Sequence, residues 1–403
     1  MIYFLTERVG GRNGGARAGV DILEACLLGT DLPVTVVGSE AGDVLGRLQR
    51  RAAAPPAWLE APRFIRFPRF SDHRALKLLV KWLVFNAQDY GLRRRFERRW
   101  RRDRPALVVY NDFPHPHTDV FRRLKRSGKS VMVMHVSPKS LAFFAKTHDP
   151  AYAEGWAVDL LAQFDAFIFV STHTRDAWLE YAPLQGKPAF VIPNCCREAE
   201  ARALLGQDRG AVRAELGLEP GRFAVSCVAT VQPGKGQDIL VEALPEIAAQ
   251  IPNVKLYFVG AEAEPEYTRT LRARLEELGL AAHAEFVGYR EDGMSYTYAS
   301  DLLVLPSRAE SQPLVILEAM ALGTPVVATN VDGIPDMIQG GAEGYLFDPA
   351  KPAELAARVV ELYRDKALRD AFAERASQTY WRRFSKAQQV SRYGEVVVSL
   401  LAS

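Results

Sequence analysis

Two carboxylates stand eight positions apart in Glu310-Ser-Gln-Pro-Leu-Val-Ile-Leu-Glu318. The left flank, Leu302 to Pro306, is a short apolar run of the kind that forms a buried strand. The right flank reads as helix up to Gly323, and Pro325 opens a further strand, Val326–Thr329. Pro313 fits the first helical turn, where its missing N–H costs nothing. Glu310 thus falls in a loop and Glu318 inside a helix. The N–H groups of Leu314 and Val315, reached through Ser311 and Gln312, would lie at the positive end of that helix, where a diphosphate can sit. Ionised acids repel phosphate and suit hydroxyl donors instead. From the helix start to Glu318 the rise is roughly 7–8 Å at ~1.5 Å per residue. The two acids could therefore hold hydroxyls on either side of a diphosphate, which is the layout of sugar, diphosphate and ribose. A solvated loop acid followed by a solvated helix acid fits the spacing equally well.

Three other places could contribute. Val231-Gln-Pro-Gly-Lys235-Gly236-Gln follows the expected strand Phe223–Ala229. A lysine in a tight loop at a strand's C-terminal end is placed to neutralise phosphate, although by itself it also reads as a solvated turn lysine. Gly10-Gly-Arg-Asn-Gly14-Gly15-Ala lies between the strand Ile2–Thr6 and a helix around Ala18–Leu28, where glycines let backbone N–H groups approach a ligand. It is not Gly-x-Gly-x-x-Gly, which disfavours a dinucleotide site and leaves a flexible turn as the alternative. His135 ends the expected strand Val131–His135 and could bond a sugar hydroxyl or a phosphate, although a lone histidine is more often structural. His115 and His117 are two possible metal ligands without a third and read as a rigid Pro-rich loop.

The elements that must position these residues alternate strand and helix in two halves. Continuous apolar strands are expected at Val34–Gly38, Leu107–Tyr110, Phe167–Ser171 and Phe190–Pro193, then at Lys255–Gly260, Glu285–Val287 and Tyr345–Phe347. Helices fall between, for example Ile239–Ala249, Tyr267–Leu278 and Ala353–Tyr363. Such alternation argues for doubly wound α/β sheets. Two of them in one chain put a cleft between domains, with the boundary near Asn194–Arg197.

At 403 residues and 48% apolar content the chain suffices for two ordinary domains. Met1-Ile-Tyr-Phe-Leu is too short for a signal segment, and no stretch approaches the roughly 20 apolar residues that span a bilayer. Cys26, Cys195, Cys196 and Cys227 lack metal-type spacing, and an adjacent pair is unsuited to bridging itself, so a reduced, cytoplasmic protein is expected. The net charge of +3 hides an asymmetry: between Arg63 and Arg104 stand 14 Lys and Arg against 4 acids, about +10, leaving the rest near −7. Cationic stretches bearing aromatics such as Phe96 and Trp100 commonly meet anionic membranes. Nucleic acid is the other customary partner, which nothing else here suggests, and a solvated helix face is the plain alternative.

The Glu310-to-Glu318 run resembles the Glu-x7-Glu signature of family 4 retaining glycosyltransferases, and its surroundings resemble that family too. The resemblance implies a GT-B fold: two Rossmann-like doubly wound domains facing a central cleft, with the C-terminal helix crossing back. On it, residues 1–194 are the acceptor-side domain, 195–373 the nucleotide-sugar-binding domain and 374–403 a helical tail packing toward the first. It implies that Glu310 touches the donor sugar hydroxyls and Glu318 the ribose. Lys235-Gly236 resembles the family's Arg-x4-Lys-Gly phosphate clamp, with Thr230 in place of the arginine. Gly14-Gly15 resembles its N-terminal glycine loop, which faces the donor diphosphate and the acceptor, and His135 its active-site histidine. Ile192-Pro193-Asn194 resembles its linker, and Val287-Gly288-Tyr289 the strand end that meets the nucleobase, where Tyr289 could stack.

The activity implied is transfer of a hexose-type sugar from a nucleotide-diphosphate sugar to a glycan or lipid-linked acceptor, with retention and without a metal or other cofactor. Bacterial surface polysaccharide assembly is the expected setting. With lipid-linked acceptors common among related enzymes, segment 63–104 is expected to touch the inner membrane leaflet. Thr230 keeps open a catalytically silent relative that binds nucleotide or a partner. A nucleotide-dependent oxidoreductase is a third, disfavoured reading.

Overall fold

A computed structural model describes residues 1–5, 8–9, 33–38, 40–41, 57–60, 94, 97–111, 128–138, 158, 161–180 and 184–402. Gly14, Gly15, the expected helix at 18–28, Cys26, His115, His117 and most of segment 63–104 lie outside the described residues. The chain divides into two compact units, Met1–Asn194 with Gln389–Ser403, and Cys195–Gln388.

In the first unit the strands are β1 (Ile2–Leu5), β2 (Arg8–Val9), β3 (Val34–Gly38), β4 (Glu40–Ala41), β5 (Ala57–Glu60), β6 (Leu107–Asn111), β7 (Lys129–Met134), β8 (Ala166–Phe169) and β9 (Ala189–Val191). β2 and β4 pair with each other, and the others form a seven-stranded sheet in the order β5-β3-β1-β6-β7-β8-β9. Every pairing is parallel. Because successive side chains alternate across a strand, Ile2, Phe4, Leu107, Val109, Val131 and Val133 share one face. The C-terminal helix, Lys386–Ala402, closes that face with Tyr393, Val396, Val397 and Leu400. Each such aliphatic side chain contributes about 1.5–3 kcal/mol on burial, which ties the chain's end to its beginning. Of the expected 374–403 tail, residues up to Gln388 group with the second unit, and Gln389–Ser403 with the first. The helix Lys366–Arg383 accounts for this, since its Ala376 and Tyr380 are wholly buried in the second core.

The second unit holds β10 (Phe223–Val228), β11 (Val254–Val259), β12 (Ala284–Gly288), β13 (Leu302–Leu305), β14 (Val326–Thr329) and β15 (Tyr345–Phe347). Their order is β12-β11-β10-β13-β14-β15, again all parallel. Phe223, Val225 and Cys227 face a layer with the helices Gln237–Gln250, Pro265–Glu277 and Pro352–Arg364. Ala224, Leu303 and Leu305 face the opposite layer, with the helices Glu198–Leu205, Gly293–Ala299 and Leu314–Leu322. Both faces of the sheet are thus covered, which is why its strands read as unbroken apolar runs.

In both sheets the winding reverses direction, between β1 and β6 in the first and between β10 and β13 in the second. Such a reversal opens a crevice at the strands' C-terminal ends, where ligands of doubly wound folds bind.

Candidate active site

β10 and β13 flank the reversal in the second sheet, and the loops that follow them carry Lys235 and Glu310. The first loop tightens into a 3-10 turn over Pro233–Lys235 and leaves through Gly236 at φ +68°. A Cβ at Gly236 would stand 2.0 Å from the Pro306 carbonyl oxygen. Only glycine lets this loop lie against the end of β13. Its role is close approach, in addition to any ligand contact the sequence suggests.

Arg308, from the β13 loop, fastens the two loops together. Its N–H donates to Gly234 O at 2.9 Å, and its guanidinium donates to Pro233 O at 2.6 Å. The same guanidinium grips both Asp238 oxygens, at 2.9 and 2.6 Å, while the Tyr267 hydroxyl donates to Asp238 Oδ1 at 2.6 Å. Burial opposes the charge on Asp238, but the Arg308 and Tyr267 bonds outweigh it and hold the carboxyl below its ordinary value.

So fastened, Lys235 Nζ donates to Glu310 Oε1 at 2.6 Å, with 27% and 11% of the two side chains exposed. Ser307 Oγ donates to the same oxygen at 2.9 Å. The Glu310 backbone is held from the other side: its N–H donates to Asp332 Oδ2 at 3.1 Å, and its carbonyl accepts from Gly333 N–H at 2.9 Å. Asp332 sits at φ +44°, a left-handed conformation that is uncommon for residues other than glycine.

Glu310 leads through Ser311 and Gln312 to the helix Leu314–Leu322. Pro313 caps this helix at φ −70°, ψ 119° instead of occupying its first turn, because an extended ψ keeps it outside the helix proper. Leu314 and Val315 are therefore the first helical residues, and their N–H groups have no acceptor a turn earlier in the helix. Glu318 lies further along this helix and is 6% exposed. Arg197 Nη2 donates to its Oε1 at 3.4 Å.

Lys235, Thr230 and Gly236 thus share one loop, beside the loop of Glu310, Ser311 and Gln312 and the helix start at Leu314 and Val315. The Thr230 carbonyl accepts from Gln237 Nε2 at 3.0 Å, which fixes the backbone there. Tyr289 is 38% exposed and follows β12, the edge strand two places from β10.

His135 belongs to the first unit and stands one residue beyond β7, where the expected strand had included it. Its Nε2 lies 2.8 Å from Asn111 Oδ1, at the end of the neighbouring β6. Part of the residue still meets solvent, yet burial pushes the ring down to about 4, so the imidazole is neutral at neutral pH. Cys195, Cys196 and Cys227 are buried and in no disulfide, and burial pushes Cys227 up to about 12. Trp100 is 2% exposed, so its ring serves the core of the first unit and is turned away from any membrane surface.

Sequence reasoning missed Ser307, Asp332, Arg308 and Arg197. The Asp332-Gly333 pair is a turn signal that could have marked the backbone clamp. Nothing local marks Arg308 or Arg197, whose partners are Asp238 and Glu318, far off in sequence.

These two reversing parallel sheets and the C-terminal helix define a GT-B fold, as the solved structures make plain. The Anabaena protein HepE in complex with UDP superposes with a TM-score of 0.74 at 22% identity, covering 99% of both chains. The same protein has been solved with UDP-glucose.

Residues 208–379, within the second unit, match the family described as glycosyl transferases group 1. Among curated relatives, the D-inositol 3-phosphate glycosyltransferase of Rhodococcus opacus (strain B4) is 35% identical over 237 residues, 57% of this chain and 52% of that protein. The N-acetyl-alpha-D-glucosaminyl L-malate synthase of Bacillus anthracis is 28% identical over 215 residues, 53% of this chain and 55% of that protein. The chain thus spans about half the length of these curated relatives.

Proposed function

We propose that the chain is a retaining glycosyltransferase of the family 4 type, moving a hexose-type sugar from a nucleotide-diphosphate donor to a glycan or lipid-linked acceptor. The observation that carries this reading is the meeting of Lys235 and Glu310, at 2.6 Å, beside a helix N-terminus at the reversal of a parallel sheet. A cation and free N–H groups suit the diphosphate, and a carboxylate next to them suits the hydroxyls of the attached sugar. The relatives named for glycosyl transfer, and the structural neighbour solved with UDP and UDP-glucose, support a nucleotide-sugar donor.

In this reading Glu310 holds the sugar, Lys235 with Leu314 and Val315 stabilises the departing diphosphate, and Glu318 receives the ribose. Tyr289 stacks on the base. His135 and the Gly14-Gly15 loop serve the acceptor side. The acceptor oxygen attacks on the face from which the diphosphate leaves. The anomeric C–O bond to phosphate breaks, the new C–O bond forms on the same face, and the departing phosphate oxygen takes the acceptor proton. Charge on the leaving group is met by protein donors, so the reading needs no metal ion.

Among the described residues no helix is long and apolar enough to cross a membrane. Work at the cytoplasmic leaflet, on a lipid-linked intermediate of bacterial surface polysaccharide, remains part of the proposal. Peripheral contact would rest on the cationic residues of segment 63–104, without Trp100.

Binding and hydrolysis of UDP-, GDP- and ADP-sugars, wild type beside Glu310→Ala, test the reading. Slow sugar release from one donor, lost in the variant, supports it and names the donor. Failure to bind any of them refutes it. Binding without turnover, unchanged by a lipid extract, would favour a silent binding protein, for which Thr230 in the arginine position is the motive.

A further inference from the structure

Arg197 stands at the N-cap of the helix Glu198–Leu205, yet its side chain makes no cap bond. One terminal nitrogen pairs with Glu200 on its own helix. The other crosses to the helix Leu314–Leu322 and donates to Glu318 Oε1. Only 24% of the Arg197 side chain and 8% of the Glu318 side chain meet solvent. Arg197 Nε is buried with no hydrogen-bond partner. So long a side chain at a helix start could have reached water instead. It lies inward, at the desolvation cost of an unsatisfied donor, with its planar fork split between two acids.

We propose that Arg197 is a positioning residue for Glu318: it fixes one carboxylate oxygen and thereby sets the plane in which the acid meets the adjacent 2′ and 3′ hydroxyls of a ribose. The inference rests on the donor reading above. Arg197 takes an acceptor position on Oε1 of this carboxylate. Two hydroxyls on neighbouring carbons donate along fixed directions, so the orientation of the carboxylate decides whether both bonds form. A charge-assisted bond of this kind depends steeply on geometry. Without the guanidinium, Glu318 keeps its place on the helix but loses the donor that holds Oε1. A purely structural tie between the two helices would affect stability and leave ribose selectivity alone.

The test is calorimetric titration with UDP, GDP and ADP, each beside its 2′,3′-dideoxy form, using wild type, Arg197→Met and Arg197→Lys. For the diphosphate that binds, wild type should prefer the ribose form by about tenfold or more. Arg197→Met should reduce that preference to about threefold or less. Arg197→Lys, which keeps the charge without the planar fork, should fall between.

Unchanged selectivity in Arg197→Met, even with a lowered melting temperature, overturns the proposal. If that variant does not fold, Arg197→Lys decides it: reduced selectivity supports the role, and wild-type selectivity removes it. A wild type that binds a diphosphate but does not distinguish ribose from dideoxyribose refutes the Arg197 role and leaves the donor reading standing. A wild type that binds none of the three refutes the donor reading itself, and this inference with it.

Discussion

The ion pair between Lys235 and Glu310 makes opposite predictions for its two members. Replacing Lys235 by Met leaves Glu310, 11% exposed, with the Ser307 hydroxyl as its remaining side-chain donor. An acid stranded in this way costs about 1–3 kcal/mol, and a unit of this size loses about 2–4 °C of melting temperature per kcal/mol. The variant also removes a charge-assisted bond to the diphosphate, so nucleoside diphosphate should bind roughly 10–100-fold more weakly. Replacing Glu310 by Gln acts differently. The amide oxygen can still accept from Lys235, but it no longer competes as a charge for the ammonium, nor repels an arriving diphosphate. Bare nucleoside diphosphate should bind about as well as to wild type or a few-fold tighter, while sugar transfer falls by about 100-fold or more as the hydroxyls lose an anionic acceptor. Calorimetry with UDP, GDP and ADP, together with turnover of the matching sugar donor, measures both signs. If Glu310→Gln weakened diphosphate binding as much as Lys235→Met, the pair would be a structural strut and the assigned division of labour would be wrong.

Other consequences can be checked separately. With His135 lowered to about 4 against 6.5 when unfolded, the unfolded chain binds a proton in that window that the fold refuses. Stability of the first unit should therefore fall as pH drops from 6.5 toward 4, and His135→Gln should flatten that slope in a series of melting curves. Gly236→Ala places a Cβ against the Pro306 carbonyl at a left-handed φ, and should cost about 2–4 kcal/mol in denaturant titration while weakening nucleotide binding through Lys235. Asp332→Ala loses the acceptor for the Glu310 N–H and keeps the left-handed strain, a loss of about 1–3 kcal/mol. Asp332→Asn, which keeps an acceptor oxygen and tolerates that conformation, should recover most of it.

The fold was legible wherever a strand is buried on both faces. Val34–Gly38, Val326–Thr329 and Tyr345–Phe347 agree residue for residue with expectation, and most other foreseen strands differ by a residue or two at an end. Parallel strands between covering helices leave an unbroken apolar run in the sequence, which local reading detects. Ala57–Glu60 escaped because two prolines and only four residues mask it. The tail's helical pattern is continuous to the eye, but the break at Phe384-Ser385 separates a helix packed into the second core from a helix packed into the first. Periodicity reveals a buried face without naming the partner that buries it.

The same limit governs the site. Lys235 and Glu310 were legible singly, as a loop lysine and a loop acid at strand ends, because a strand's C-terminal end is where a doubly wound sheet exposes its loops. That they touch, 75 residues apart in sequence, depends on β10 and β13 being neighbours, and that adjacency is a property of the winding, unreadable from either segment. Arg308 and Asp332 follow from the same winding: each binds a loop that becomes its neighbour only once the sheet is assembled. Their effect is to limit how far Lys235 and Glu310 can drift apart, which matters in a clamp with Thr230 where the resemblance implied a second cation. With one ammonium serving both the acid and, on the proposed reading, a diphosphate, the position of Lys235 has to be set by its surroundings. The glycine contact at Pro306, the Arg308 bridge and the Asp332 clamp supply that constraint.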